Sequence, residues 1–168
     1  HHAYLISGRK GVGKSLIANR LAMQVLCHSK DDILCGECHS CKLSDLENHP
    51  DFHTLKILPE KKLIGISQIH ELRSKLYESA FLGKNKAIIL PHLEKISLDG
   101  LNAFLKILEE PPDNTYFFLV SDFLNQVPTT IQSRCIDIKI KLPDLDESLE
   151  WLDDYSKEDS IKALNLTN

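Results

Sequence analysis

Eight consecutive residues carry the most specific chemistry in this sequence: Gly8-Arg9-Lys10-Gly11-Val12-Gly13-Lys14-Ser15. Their spacing is G-x-x-x-x-G-K-[ST], the P-loop pattern that cradles phosphate. Gly8, Gly11 and Gly13 let the backbone turn tightly, so that the N–H groups of this stretch, Val12 included, aim inward at an anion. Lys14 would reach the outer phosphates of a nucleotide such as ATP, and the Ser15 hydroxyl would ligate its Mg²⁺. A helix beginning at this point adds its positive N-terminal end to the same anion site. The plainer alternative is a glycine-rich strand-to-helix turn that binds nothing.

A second group is thiol chemistry. Four of the five cysteines fall between residues 27 and 41, and Cys35-Gly36-Glu37-Cys38-His39-Ser40-Cys41 contains C-x₂-C-x₂-C, with Cys27 eight residues before it. In a chain of this kind such clustering reads as a metal site before a disulfide framework. Four thiolates, Cys27, Cys35, Cys38 and Cys41, close a tetrahedral Zn²⁺ site and leave no open position, so the zinc would be structural. His39 is the rival fourth ligand. An iron–sulfur reading wants a fourth cysteine at position 45, which is Asp45. Cys135 stands apart and reads as a small buried thiol.

The elements that must position these groups follow from periodicity. Ala3-Tyr4-Leu5-Ile6-Ser7 is a short apolar run before the P-loop, and Ile17, Leu21 and Val25 recur at helical spacing after it, with Ala18 and Ala22 beside them. A polar, cysteine-rich excursion covers about residues 27–49. Residues 51–57 between two prolines read as a second strand. Ser67 is the expected N-cap of a helix carrying Ile69, Leu72 and Leu76, and Gly83 closes that region. Residues 87–90 form a continuous apolar run, as in a parallel strand covered on both faces. Ser97 caps a helix with Leu101, Phe104, Leu105 and Leu108, stopped by Pro111-Pro112. Residues 116–120 are a further apolar strand, and Pro128 opens a short helix over 129–133. Ile136, Ile138 and Ile140 alternate with Asp137, Lys139 and Lys141 in a last, half-exposed strand. This alternation predicts an α/β fold with a mostly parallel five-stranded sheet flanked by helices. Residues 1–143 form the P-loop domain, and the acidic, weakly helical stretch 144–168 looks like the start of a helical second domain.

Composition sets the bounds. The 168 residues are 42% hydrophobic and 26% charged with a net charge of −4, an ordinary globular balance that makes non-specific DNA binding by this segment unexpected. No apolar run reaches the ~20 residues of a membrane span, and no basic-then-apolar leader opens the sequence, so a cytoplasmic setting is expected.

An NTPase of the P-loop type needs an Asp and a Glu at the end of the strand at 87–90, to help hold Mg²⁺ and to orient the attacking water. Here the strand runs into Pro91-His92-Leu93-Glu94. The phosphate cradle is complete while the hydrolytic acids are missing.

Asn102-Ala103-Phe104-Leu105-Lys106-Ile107-Leu108-Glu109-Glu110-Pro111-Pro112 and Ser133-Arg134-Cys135 resemble the clamp-loader branch of the AAA+ ATPases, and His1-His2-Ala3-Tyr4-Leu5-Ile6 with the four-cysteine module is similar to its bacterial members. The resemblance covers about residues 1–143. Of two subunit types, the motor (gamma/tau) carries the Asp-Glu pair that is missing here. The delta-prime type has a degraded pair, and His49-Pro50-Asp51-Phe52 resembles its segment after the zinc module.

The resemblance implies a subunit of the DNA polymerase III holoenzyme, acting in an ATP-driven hetero-pentamer with gamma/tau and delta subunits that opens a sliding clamp and loads it onto primed DNA. It implies that Arg134 is offered in trans to a neighbour's ATP site, that Ser121 occupies the polar sensor position, and that 144–168 begin a helical lid. Own hydrolysis is expected to be weak or absent. The alternative of an active motor subunit is separated by turnover assays. A zinc-dependent nucleic-acid adaptor would need a basic, aromatic-bearing face, and the sequence has no such run.

Overall fold

A computed structural model of the chain describes residues 1–29 and 34–143. The expected lid segment, 144–168, lies outside the described residues. Five strands form one sheet: β1 (Ala3–Ser7), β2 (Phe52–Thr54), β3 (Lys86–Leu90), β4 (Thr115–Ser121) and β5 (Ile136–Lys139). Their order across the sheet is β2-β3-β4-β1-β5, and every pairing is parallel. The central strands are apolar on both faces because helices cover both. One core gathers Leu5, Ile88, Leu90, Phe117 and Leu119 with α3 (Ile66–Tyr77) and α4 (Leu98–Glu109). The other gathers Ile6, Ala87, Ile89, Phe118 and Val120 with α1 (Lys14–Leu26).

The elements form for local reasons, with three departures from expectation. In α1 the fully buried stripe is Ala18, Ala22 and Leu26, one residue round from Ile17, Leu21 and Val25, which are only partly buried. Two alanines on that stripe let the helix backbone lie close to the sheet. α3 starts one residue before Ser67, with Gly65 at its N-cap, whose N–H donates to Gln68 Oε1 at 3.3 Å. Its C-terminus at Tyr77 comes well before Gly83; there the buried Lys86 ammonium donates to the carbonyls of Lys75, Leu76 and Glu78, which a helix end leaves unpaired. β2 is a three-residue edge strand, shorter than the 51–57 expected, and the Leu55 N–H makes one more bond to Ile89 O. By contrast Ser97 caps α4 as predicted, accepting from Gly100 N–H at 3.2 Å. The cysteine excursion contains a short helix, α2 (His39–Asp45), and Pro128 precedes α5 (Thr129–Gln132).

Candidate functional site

Because every strand is parallel, all strand C-termini lie along one edge of the sheet, and the P-loop leaves β1 there. Gly8 passes so close to β5 that a Cβ on it would sit 2.5 Å from Ile140 O. Gly13, at φ 81°, is the αL residue from which α1 departs, and open space lies above both it and Gly11. Gly11 and Ser15 are exposed; Lys14 is not. Its side chain is 4% exposed, and Nζ donates to Arg9 O at 2.6 Å and pairs with Asp122 Oδ1 at 2.8 Å.

Two neighbouring strand ends complete this edge. β3 ends at Leu90 and continues into Pro91 with no carboxylate. Glu94, in the 3₁₀ turn Leu93–Lys95, is mostly buried; one of its oxygens lies 3.8 Å from His92 Nδ1 and the other has no partner among the described residues. β4 ends at Ser121, fully buried, whose Oγ accepts the Phe123 N–H at 3.1 Å and so shapes the turn that carries Asp122.

Arg134 is at the opposite edge. It lies two residues before β5, whose four residues span about 13 Å between it and the P-loop edge. Nη2 pairs with Glu109 Oε1 at 2.6 Å and Nη1 donates to Thr130 O at 2.7 Å, leaving the side chain 34% exposed. Cys135 packs against the core, and burial first, then the Asp137 carboxylate, push its thiol up to about 11.

The Sγ atoms of Cys27, Cys35, Cys38 and Cys41 all lie within 4.8 Å of one another. Individual separations are 3.5 Å (Cys27–Cys35), 3.9 Å (Cys35–Cys41) and 4.0 Å (Cys27–Cys38). Zn–S bonds of ~2.3 Å in a tetrahedron put sulfurs about 3.8 Å apart, close to these separations, so the four could hold a metal ion. His39 is not one of the group. Backbone N–H groups of Ser29, Cys38 and Cys41 point at Cys27, Cys35 and Cys38 sulfurs, each at 3.4 Å. Desolvation resists ionisation of Cys38, yet hydrogen bonds from the His28 and Cys41 backbone and from neighbouring thiols outweigh it and bring the thiol down to about 6. Cys41, the most buried, is pushed up to about 12 by desolvation and by the Cys38 and Cys27 sulfurs that accept its proton. A central cation would favour the thiolate at all four.

A hydrogen-bond chain anchors this module. Asp51 N–H donates to His49 Nδ1 at 3.1 Å, which fixes the proton on Nε2. Nε2 then donates to Ser40 Oγ at 2.6 Å, and that hydroxyl donates to Leu26 O at 2.7 Å. The Asp51 carboxylate accepts from Phe81 and Leu82 N–H at 2.8 and 2.9 Å.

A family model described as DNA polymerase III, delta subunit, matches residues 1–144. The chain belongs to that family. The delta' subunit of Buchnera aphidicola (subsp. Schizaphis graminum) is 38% identical over 98% of the chain and 50% of its own length. The tau/gamma subunit of Haemophilus influenzae is 34% identical over 86% of the chain and 21% of its length. Among solved structures, a gamma subunit-related DNA polymerase III protein from Thermotoga maritima superposes with a TM-score of 0.65 at 24% identity, over 85% of the chain and 42% of its own, which supports the fold. The chain spans about half the length of the delta' relatives it matches.

Within this delta' family chain the structure brings Gly8, Gly11, Val12, Gly13, Lys14, Ser15 and Ser121 to one sheet edge and the four cysteines into one group, and it sets Arg134 apart from both. Sequence reasoning missed Asp122. Nothing in its spacing marks it; only the β1–β4 register, with Ser7 beside Ser121, brings it to Lys14. The Ser40–His49 link was equally unmarked, although His49 and Asp51 already stood in the segment that resembles the family. No helix among the described residues is long and apolar enough to cross a membrane.

Proposed function

We propose that the chain is the N-terminal part of a clamp-loader subunit that helps place a sliding clamp on primed DNA during replication. Family membership across residues 1–144 carries the reading. In it, residues 1–143 are the AAA+ unit, 144–168 open the helical lid, and the partners are gamma/tau and delta subunits in a cytoplasmic hetero-pentamer, with clamp and DNA met through the complex.

The residues at the cradle fit a nucleotide's phosphates. The N–H groups of 11–13, with Lys14, would hold them, Ser15 would take Mg²⁺, and Ser121 lies at the adjoining strand end. Bound ATP would supply a terminal phosphoryl group for transfer to water. This chain's own contribution stops at binding, because no carboxylate at the end of β3 holds the metal or orients water. Turnover by the isolated protein should stay below the ~1 s⁻¹ of ordinary enzymes. Rapid turnover lost on Lys14→Ala would instead favour the active-motor reading.

The cysteines fit a structural zinc, since four protein sulfurs fill the tetrahedron. Arg134 is suited to act on a neighbour's ATP: it lies at the sheet edge away from its own cradle, and its planar, permanently charged fork matches phosphate oxygens. The test is to assemble the loader with Arg134→Ala and measure ring formation, ATP turnover and clamp loading. A ring that forms normally but turns over more slowly supports the role. A finger in trans is worth roughly 10³–10⁵ at a single GTPase site, and the whole-complex effect is smaller where other sites keep theirs. Unchanged turnover and loading would leave Arg134 a surface residue.

A further inference from the structure

The P-loop lysine already has an anion. Lys14 Nζ is buried, 2.6 Å from Arg9 O and 2.8 Å from Asp122 Oδ1, and no other charged side chain pairs with it among the described residues. A phosphate bound by the loop must draw on the same ammonium. The Asp122 carboxylate is delivered there by construction: β4 pairs with β1 in register through Ser7 and Ser121, and Ser121 Oγ holds the Phe123 N–H so that the intervening residue turns toward the loop. The rest of the cradle is open, with Gly11, Gly13 and Ser15 facing free space.

We propose that Asp122 is a built-in occupant of the phosphate cradle, a carboxylate that neutralises Lys14 and that a nucleotide's phosphate has to displace. It gives the loop a satisfied, folded state without nucleotide and weakens phosphate binding twice over. The ion pair must be broken, and the freed carboxylate then stands beside an incoming polyanion of like charge. A buried ammonium with neither partner is costly, so the two anions exchange and the lysine is never left bare. The proposal rests on the reading of residues 8–15 as a phosphate site.

The test uses the full-length protein as wild type, Asp122→Asn and Asp122→Asn/Lys14→Ala. Thermal midpoints are recorded without ligand and with inorganic pyrophosphate, and ADP and pyrophosphate affinities are measured by calorimetry. Asp122→Asn should melt lower than wild type in ligand-free buffer, recover with pyrophosphate, and bind pyrophosphate about tenfold or more tightly than wild type, the size of one lost charge-assisted bond. The double variant should lose that gain. Pyrophosphate rescue with no ADP binding in any variant would retain the role of Asp122 while removing nucleotide from the proposed function. Equal or weaker pyrophosphate binding by Asp122→Asn, or a gain that survives Lys14→Ala, overturns the proposal. So does a failure of every variant to bind pyrophosphate with no change in melting. A companion Asp122→Ser variant, which also removes the charge, must behave as Asp122→Asn does.

Discussion

His49 is a neutral imidazole by design of its surroundings. Nδ1 accepts from Asp51 N–H, so a second ring proton would point at an N–H it cannot bond. Burial depresses its pKa, opposed by the Asp51 carboxylate and reinforced by His28 and His39. His53 is also lowered, by desolvation and then by Lys75. The unfolded chain takes up these protons near the ordinary histidine value of ~6.5, before the folded one does. The stability they contribute is therefore complete above about pH 6.5 and is lost as pH falls from there toward the depressed folded values. Thermal midpoints from pH 8 to 5.5 should be level and then decline, with a shallower decline in His49→Gln. At this scale the sequence was legible where chemistry is written in spacing: the P-loop and the four cysteines. It was silent on Asp122 and on the Ser40 hydroxyl, because their roles depend on neighbours distant in the chain.

The cysteine module is an excursion between α1 and β2, tied to the rest of the domain among the described residues by the chain Leu26–Ser40–His49–Asp51, one face of α2 and the exposed Glu47–Lys56 ion pair. Removing one sulfur leaves three ligands and an open position, where a structural zinc wants four. Cys38→Ser should therefore abolish stoichiometric zinc in metal analysis and expose residues 27–49 to proteolysis, while the cleaved protein keeps its sheet by circular dichroism. Full zinc retention in that variant would remove Cys38 from the ligand set. Existence and type of the elements were readable from period and caps, as Ser97 and Pro128 illustrate. The buried face of α1 was not, because bulk suggested Ile17 and Leu21 whereas close approach to a sheet favours the smaller Ala18 and Ala22. Nor was the start of α3, where Gly65 took the capping position from the more usual Ser67.

Across the whole molecule, α4 is held to the sheet by Phe104, fully buried and edge-on to Phe117 with ring centroids 5.8 Å apart. Phe104→Ala should cost about 3–5 kcal/mol and lower the melting midpoint, yet leave the zinc content intact, since the cysteines lie in another part of the fold. The parallel sheet was legible from apolar runs alternating with helices. The order β2-β3-β4-β1-β5 was not, because apolar runs alone do not say which strand is whose neighbour. That order has one more consequence. With the cradle at one end of the strands and Arg134 at the other, the domain has unlike poles. Subunits joined pole to pole share a common sense of direction, like links stamped with arrows, and such a file either closes on itself or keeps growing. Were Arg134 to serve a neighbour as proposed, a member whose own cradle is filled by Asp122 would make little demand on the subunit behind it while still serving the one ahead, and would suit the place where such a file begins.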